Sequence, residues 1–272
     1  MKILCTICAR SGSKGIKNKN IKQLLGKPLI YYTIKQAKDA KIFSNIVVST
    51  DSAKIKKIAN KYKVSCWYLR SKKLSNDYSS KLPVIKDALI KSEKKFGIKY
   101  DYICDLDVTS PLRKIKDIIL SYKKVKKKNI QNLISVCFSK KNPFFNVIIK
   151  KNKGFEIVNS SSRKYKRRQD APICYDVNAA IYFWKRQALI ANKKLIGSQT
   201  NIHIMPQNRS IDIDTKDDFE YVEYLLKKME KIDFKNKKIF VIGGYGLIGN
   251  AVANLLNYNG AKVFILDQNK LI

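Results

Sequence analysis

Two pairs of aspartates are placed to do chemistry: Asp105 and Asp107 in DLDVTSPLR, and Asp212 and Asp214 in SIDIDT. Alternation along an extended chain puts both members of a pair on one face. Side-by-side carboxylates repel one another unless a cation or a hydrogen-bond donor sits between them, and oxygen ligation completed by water suits Mg²⁺. A single strand-end aspartate more often caps the loop that follows. Two such pairs in a chain that also carries a basic glycine loop favour a metal.

That loop is Ala9–Asn20, ARSGSKGIKNKN, directly after the apolar run ILCTICA. Gly12 and Gly15 would allow positive φ and close backbone approach. Ser13 and the exposed amides can donate to phosphate oxygens, while Arg10, Lys14 and Lys19 supply charge. No Gly-Lys-Ser/Thr completes a Walker A loop. The chain holds 56 Lys and Arg, so a solvated basic turn stands as an equal reading of the loop taken alone. A third basic stretch, RKYKRRQDAP, carries Arg163, Arg167, Arg168 and Gln169, and arginine forks suit carboxylate or phosphate better than lysine does. A second glycine motif, GGYGLIG (Gly243, Gly244, Gly246, Gly249), follows a strand and opens a helix, and Asp267 ends the next strand. This is the context of a dinucleotide fingerprint with an acidic residue for a ribose hydroxyl.

The elements that must position these residues alternate in type. KILCTIC, NIVVST, VSCWYL, YDYICDL and NLISVCF read as strands. PLIYYTIKQAKDA (with Pro28 in its first turn), DSAKIKKIANKY (opened by Asp51 or Ser52), LPVIKDALIKSEKKF and KIKDIILSYKKVKKK read as helices. The alternation predicts an α/β fold, a mainly parallel sheet with helices on both faces. Between Pro143 and Trp184 the rhythm breaks: FFNVIIK and GFEIV predict a hairpin, a long polar loop follows, and NAAIYFW is a strand. RSIDID then returns as a strand, and TKDDFEYVEYLLKKMEK as a helix capped by Thr215 with Asp218 three residues on. The predicted domains are 1–230, with the 143–184 insertion, a connector at 231–237, and a βαβ fragment at 238–272 that is too short for a whole oxidoreductase.

Taken in order, ARSGSKGIKNKNIKQLLGKPLIYYTI, LRSKKLSND, TSPLR, RRQDAP…NAAIY and IDID resemble the CMP-sialic acid synthetase (acylneuraminate cytidylyltransferase) family, over residues 1–230. The resemblance implies a Rossmann-like nucleotide-diphospho-sugar transferase fold. It implies that the anomeric hydroxyl of a nine-carbon α-keto acid sugar attacks the α-phosphate of CTP and pyrophosphate leaves. Carried over position by position, Arg10, Ser13, Lys14, Lys19 and Asn20 would hold the triphosphate, and Arg70 with the Asp107–Ser110 turn would line the cytidine pocket. Asp212 and Asp214 would bind Mg²⁺, and Arg168, Gln169 and Asn178 would meet the sugar acid. Catalysis would rest on Arg10, Lys19, Asp212 and Asp214. The resemblance also implies a homodimer, with the 143–184 region reaching to the partner. Asp107 and Val108 stand where sialic acid members often have Gln and Pro, and Ala179 where many have Gly. These departures mark a branch for another sugar, such as legionaminic or pseudaminic acid. The glycine motif near the C-terminus resembles the start of a short-chain dehydrogenase or epimerase, read here as a vestige.

Composition sets the competing classes. The balance of 56 basic against 21 acidic residues, a net charge of +35, invites a nucleic-acid reading. The excess is spread along the chain and is mostly lysine, whereas nucleic-acid binders gather it on one face with stacking aromatics. An NAD-dependent oxidoreductase is the other alternative, suggested by GGYGLIG and opposed by the absence of a catalytic Tyr-x-x-x-Lys downstream. Six scattered cysteines and one histidine, His203, argue against structural zinc and for reduced thiols. No transmembrane run or signal peptide is present, so the expected location is the cytoplasm.

Overall fold

The computed structural model describes all residues except 14, 160–164, 192–193, 231–233, 235, 268–269 and 272. The chain divides into two compact units, Met1–Val222 and Glu223–Ile272.

The larger unit is built on six strands: β1 (Ile3–Cys8), β4 (Asn45–Ser49), β5 (Tyr102–Leu106), β6 (Asn132–Phe138), β9 (Tyr175–Lys185) and β10 (Thr200–Ile204). Their order in the sheet is β10-β6-β9-β5-β1-β4. β9 runs antiparallel to both its neighbours, and the remaining pairs are parallel. A hairpin of β2 (Gln23–Leu24) and β3 (Lys27–Pro28) and another of β7 (Ile148–Lys151) and β8 (Gly154–Ile157) stand outside the sheet. From β1 the chain crosses to β4 through α1 (Leu29–Asp39), then returns past β1 to β5 through α2 (Ala53–Lys61) and α3 (Lys81–Phe96). Right-handed crossovers in opposite directions put α1 and α3 on opposite faces and open a crevice at the carboxyl ends of β1 and β5.

β1 and β5 are mostly apolar and buried because both faces are covered, with Thr6 and Asp105 the buried polar exceptions. In α1 the buried residues Leu29, Ile30, Thr33, Ile34 and Ala37 fall on one helical stripe. Ile85 and Leu89 of α3 pack with Ile103, Tyr182 and Trp184 in a cluster that is almost fully buried. Each such aliphatic side chain contributes about 1.5–3 kcal/mol relative to exposure. α4 (Ile115–Lys128) and α5 (Arg186–Ala191) complete the layers, and α6 (Lys216–Glu230) follows the second aspartate pair. α6 opens as expected: Thr215 Oγ1 accepts from the Asp218 amide at 3.2 Å, and Asp218 Oδ2 accepts from the Thr215 amide at 2.8 Å.

Three expectations are corrected. VSCWYL is no strand: it makes one bridge, Ser65 to Val47, then turns to set Trp67 edge-on against Tyr68 and Phe96. RSIDID joins no ladder: Arg209 ends a 3-10 helix, the rest of the run has no regular structure, and the Ile213 amide donates to the Thr109 carbonyl at 2.9 Å. The edge strand is β10, TNIHI, which the sequence reading passed over. Pro28 is not in the first turn of α1 but caps it in an extended conformation, and Ser52 rather than Asp51 caps α2.

In the smaller unit, β11 (Lys238–Ile242), α7 (Leu247–Tyr258) and β12 (Lys262–Asp267) form a parallel βαβ, and β13 (Lys270–Leu271) pairs antiparallel with β12. Among the described residues no helix is long and apolar enough to cross a membrane.

Candidate active site

The crevice predicted by the crossovers is a cleft of about 440 Å³, and the loop after β1 forms one wall of it. Asn18 takes the left-handed conformation (φ 56°) that turns the chain into a short 3-10 helix, Lys19–Ile21. Asn20 is buried and donates to the Arg10 carbonyl at 2.9 Å, so its amide shapes the loop. Ser11 donates through its amide and hydroxyl to Asp51 at 2.8 and 2.6 Å. Arg10 reaches across the cleft to Asp77 at 2.7 Å and to the Asn76 carbonyl at 3.0 Å. Lys19 donates to the Ile213 carbonyl at 2.5 Å and to Asp214 Oδ1 at 3.0 Å. Ser13 lines the cleft. Lys14 lies outside the described residues. Neither Gly12 nor Gly15 has a positive φ, contrary to expectation. Gly15 is needed for close approach, because a Cβ there would collide with the Asp214 carbonyl.

The two aspartate pairs turn out to be different. Asp105 is fully buried, with Oδ1 accepting from the Thr6 hydroxyl at 2.6 Å. Lys81, the first residue of α3, places its ammonium 3.1 Å from Asp105 Oδ2 and 2.5 Å from Asp107 Oδ2. The first pair therefore holds a lysine where metal was expected. Burial pulls Lys81 down, but the two carboxylates outweigh it and hold the ammonium well above the usual lysine range. Burial likewise pushes Asp107 up, and Lys81 with Thr109 brings it below the ordinary carboxylate value.

In the second pair Lys19 meets Asp214 at 3.0 Å, and among the described residues no cation bridges Asp212 and Asp214. Asp212 is pushed up to about 6, first by burial and then by the charges of Asp107 and Asp214, against the pull of Thr109 and Lys19. Its Oδ1 is buried with no hydrogen-bond partner among the described residues, in the wall of the cleft. An orphaned carboxylate oxygen crowded by like charge fits a divalent cation. Among the described residues no group of three His, Cys, Asp or Glu forms a complete metal cage. Mg²⁺ commonly takes one or two carboxylates and completes its shell with substrate phosphates and water, so the two aspartates fit it.

A glycine loop, converging cations and an aspartate pair in one cleft are the parts of a nucleotidyl-transfer site, and a family model described as Cytidylyltransferase matches residues 4–257. The chain belongs to the cytidylyltransferase family. It is 42% identical over 235 residues to a CMP-N,N'-diacetyllegionaminic acid synthase of Campylobacter jejuni, covering 85% of this chain and 99% of that one. It is 35% identical over 232 residues to a pseudaminic acid cytidylyltransferase of the same species, covering 84% and 97%. A solved CMP:2-keto-3-deoxy-manno-octonic acid synthetase complexed with CTP shares the fold, with TM-score 0.61 at 16% identity over 84% of this chain and 100% of that one. The α/β architecture expected from the sequence is therefore that of nucleotidyltransferases.

In this cytidylyltransferase the cleft is backed by a frame that the sequence reading did not foresee. Arg113, the arginine of TSPLR, is buried and donates to the carbonyls of Asp107 and Ala180, to Thr33 Oγ1 at 3.2 Å and to Gln36 Oε1 at 2.9 Å. β9 bulges opposite Ser135, where Ala179 takes φ 55°. Ser135 Oγ donates to Asn178 Oδ1 at 2.6 Å and accepts from the Ile181 amide at 2.7 Å. Asn178 and Ser110 belong to this frame: both are buried, and Ser110 donates to the Asn178 carbonyl at 3.3 Å. Neither lines the cleft, whereas Asp107 and Thr109 do. Arg70 lines it while donating to Ser75 Oγ at 3.0 Å and the Ser49 carbonyl at 3.4 Å.

Arg168 and Gln169 lie elsewhere, on a depression of about 350 Å³ with Phe138, Asn142 and Ile173. Arg168 donates to the Ser139 carbonyl at 3.0 Å, and Arg167 pairs with Asp170 at 3.1 Å. Arg163 lies outside the described residues. His203 sits on β10, 4.0 Å from Asp117 Oδ1, where Arg209 also makes an ion pair at 2.6 Å. In the smaller unit Gly243 has φ 71°, and a Cβ on Gly249 would collide with the Gly243 carbonyl, as close helix–loop packing requires. A Cβ on Gly244 would meet the Ile265 side chain, whereas one on Gly246 would stand 3.4 Å from the Gly243 carbonyl. Asp267 Oδ2 accepts from the Tyr245 amide at 3.0 Å.

Proposed function

We propose that this cytidylyltransferase transfers CMP from CTP to the anomeric hydroxyl of a nine-carbon α-keto acid sugar of the legionaminic type, releasing pyrophosphate. The orphaned Asp212 oxygen facing the Arg10–Lys19 loop across one cleft carries the reading, and the legionaminic acid synthase among its relatives supports the sugar. Charge builds on the phosphoryl oxygens and the leaving pyrophosphate, so positioned cations do most of the work. Arg10 exchanges its Asp77 partner for the triphosphate, and Lys19 holds phosphate beside Asp214. Arg70 and Asp107 border the nucleoside, with Asp107 accepting hydrogen bonds only. Asp212 and Asp214 would hold Mg²⁺, which would neutralise the phosphates and acidify the attacking hydroxyl. With His203 on β10 and outside the cleft lining, proton removal falls to carboxylate or solvent.

Arg168 and Gln169 reach the sugar from a second copy of the chain. Exposed apolar side chains at Phe138 and Ile173 beside them, and at Phe155 on the β7–β8 hairpin, support a homodimer through the 143–184 region. The six cysteines, all free, support a reducing cytoplasm. The 238–272 segment is a dinucleotide-type half whose glycine packing supports weak binding at most, and NAD titration followed by intrinsic fluorescence checks it. The decisive experiment is pyrophosphate release from CTP and Mg²⁺ with legionaminic, pseudaminic and sialic acids. Release should be highest with legionaminic acid, and Asp212→Ala should lose about 100-fold or more in kcat. A folded chain that binds CTP and releases no pyrophosphate with any of the three sugars would overturn the substrate.

A further inference from the structure

Lys81 directs its ammonium at partners within the chain, although 20% of its side chain is exposed. It meets Asp107 Oδ2 at 2.5 Å and Asp105 Oδ2 at 3.1 Å, and it lies 4.3 Å from the centroid of the Tyr182 ring. The ammonium donates to Asp107, makes an ion pair with Asp105 Oδ2, which accepts no hydrogen bond among the described residues, and sits over the Tyr182 ring, so its charge is matched within the chain. Lys81 nevertheless lines the cleft, together with Asp107, Asp212 and Asp214. Without it, four carboxylates would crowd one end of a site that must admit a triphosphate.

We propose that Lys81 is a positioning residue whose ammonium replaces a second divalent ion, so that the cleft takes a single metal, at Asp212 and Asp214. The inference rests on the metal reading given above. Asp105 and Asp107 have the side-by-side arrangement that would otherwise attract a cation, and the one they receive is covalently part of the chain and cannot exchange. The same ammonium fixes Asp107, whose other oxygen accepts from the Thr109 hydroxyl at 3.2 Å. The Thr109 carbonyl in turn accepts from the Ile213 amide at 2.9 Å, between the two metal-binding aspartates. Lys81 thereby sets both the charge and the placement of the metal pair. A buried ion pair kept only for stability would have no effect on how many ions bind.

Mn²⁺ titration of the full chain without nucleotide, followed by electron paramagnetic resonance, counts the sites. The expected result is one Mn²⁺ per chain for the wild type and for Lys81→Arg, and two for Lys81→Met. The double variant K81M/D107N should return to one, because Asp105 alone cannot hold the ion. Lys81→Gln, which keeps donors without charge, gives the same count as the Met variant should that one not fold. Lys81→Met should also raise KM for CTP about tenfold, with a smaller change in kcat, by exposing the triphosphate to an uncompensated carboxylate. One Mn²⁺ in Lys81→Met and in Lys81→Gln, or two in the wild type, would overturn the proposal while leaving the cytidylyltransferase reading intact. A wild type whose Mn²⁺ binding is unchanged by Asp212→Ala would instead defeat the metal assignment beneath it.

Discussion

At Gly15 a Cβ would collide with the backbone carbonyl of Asp214, whereas the same atom on Gly12 would meet open space. The two glycines look alike in GSKG and do different things. Gly15 is the contact between the loop after β1 and the segment bearing Asp212 and Asp214, so any side chain there must push Lys19 and Asp214 apart. A displacement of about 1 Å in such a site can cost about 100-fold in rate. Gly15→Ala should therefore lower kcat/KM for CTP by about that factor, and Gly12→Ala should stay near wild type. Steady-state pyrophosphate release on the two variants checks this, and equal loss in both would mean that the contact is unimportant. Lys81 shows the limit of reading residues singly: its partners are 24 and 26 positions away, and nothing local separates it from the other basic residues among the 56.

The strands that wall the site were legible because burial on both faces makes them short, mostly apolar runs, as in ILCTIC and YICDL. Edge positions were not. TNIHI has the partial burial of an outer strand, while VSCWYL has the composition of a strand and lies where only Ser65 can pair. Neither could the bulge of β9 be read, because it is defined by a partner strand: the Ser135 hydroxyl on β6 accepts from the Ile181 amide in place of a ladder bond and donates to the side-chain oxygen of Asn178. This element turns β9 past Asp107, so it shapes the floor behind the cleft. Ser135→Ala would leave the Ile181 amide and the Asn178 carboxamide buried with a lost partner each. The expected cost is about 2–3 kcal/mol of stability, read from urea unfolding, with activity retained below the new midpoint. A cost below about 0.5 kcal/mol would show that the bulge is held by β9 itself.

Over the whole molecule, a charge of +35 has to be reconciled with an enzyme that meets small anions. The lysines are distributed over helix ends: Lys38 in α1, Lys61 in α2, Lys94 and Lys95 in α3, Lys126, Lys127 and Lys128 in α4, and Lys227 and Lys228 in α6 all lie in last turns. There they offset the negative end of the helix dipole. These lysines are spread over five helices rather than gathered on one element, as a contact to a nucleic-acid backbone would ask. The consequence of the net positive charge for catalysis is attraction that scales with substrate charge and is screened over about 10 Å at 0.1 M salt. Raising ionic strength from about 0.02 M to about 0.3 M should lower kcat/KM for CTP several-fold. The singly charged sugar acid should be affected much less, because the same potential acts on a smaller charge. Paired initial-rate series in NaCl, with each substrate varied against saturating levels of the other, separate the two slopes. Parallel slopes would place the salt effect in the enzyme's own stability or in the chemical step, whereas a steeper slope for CTP assigns the diffuse lysine charge a part in capturing the nucleotide.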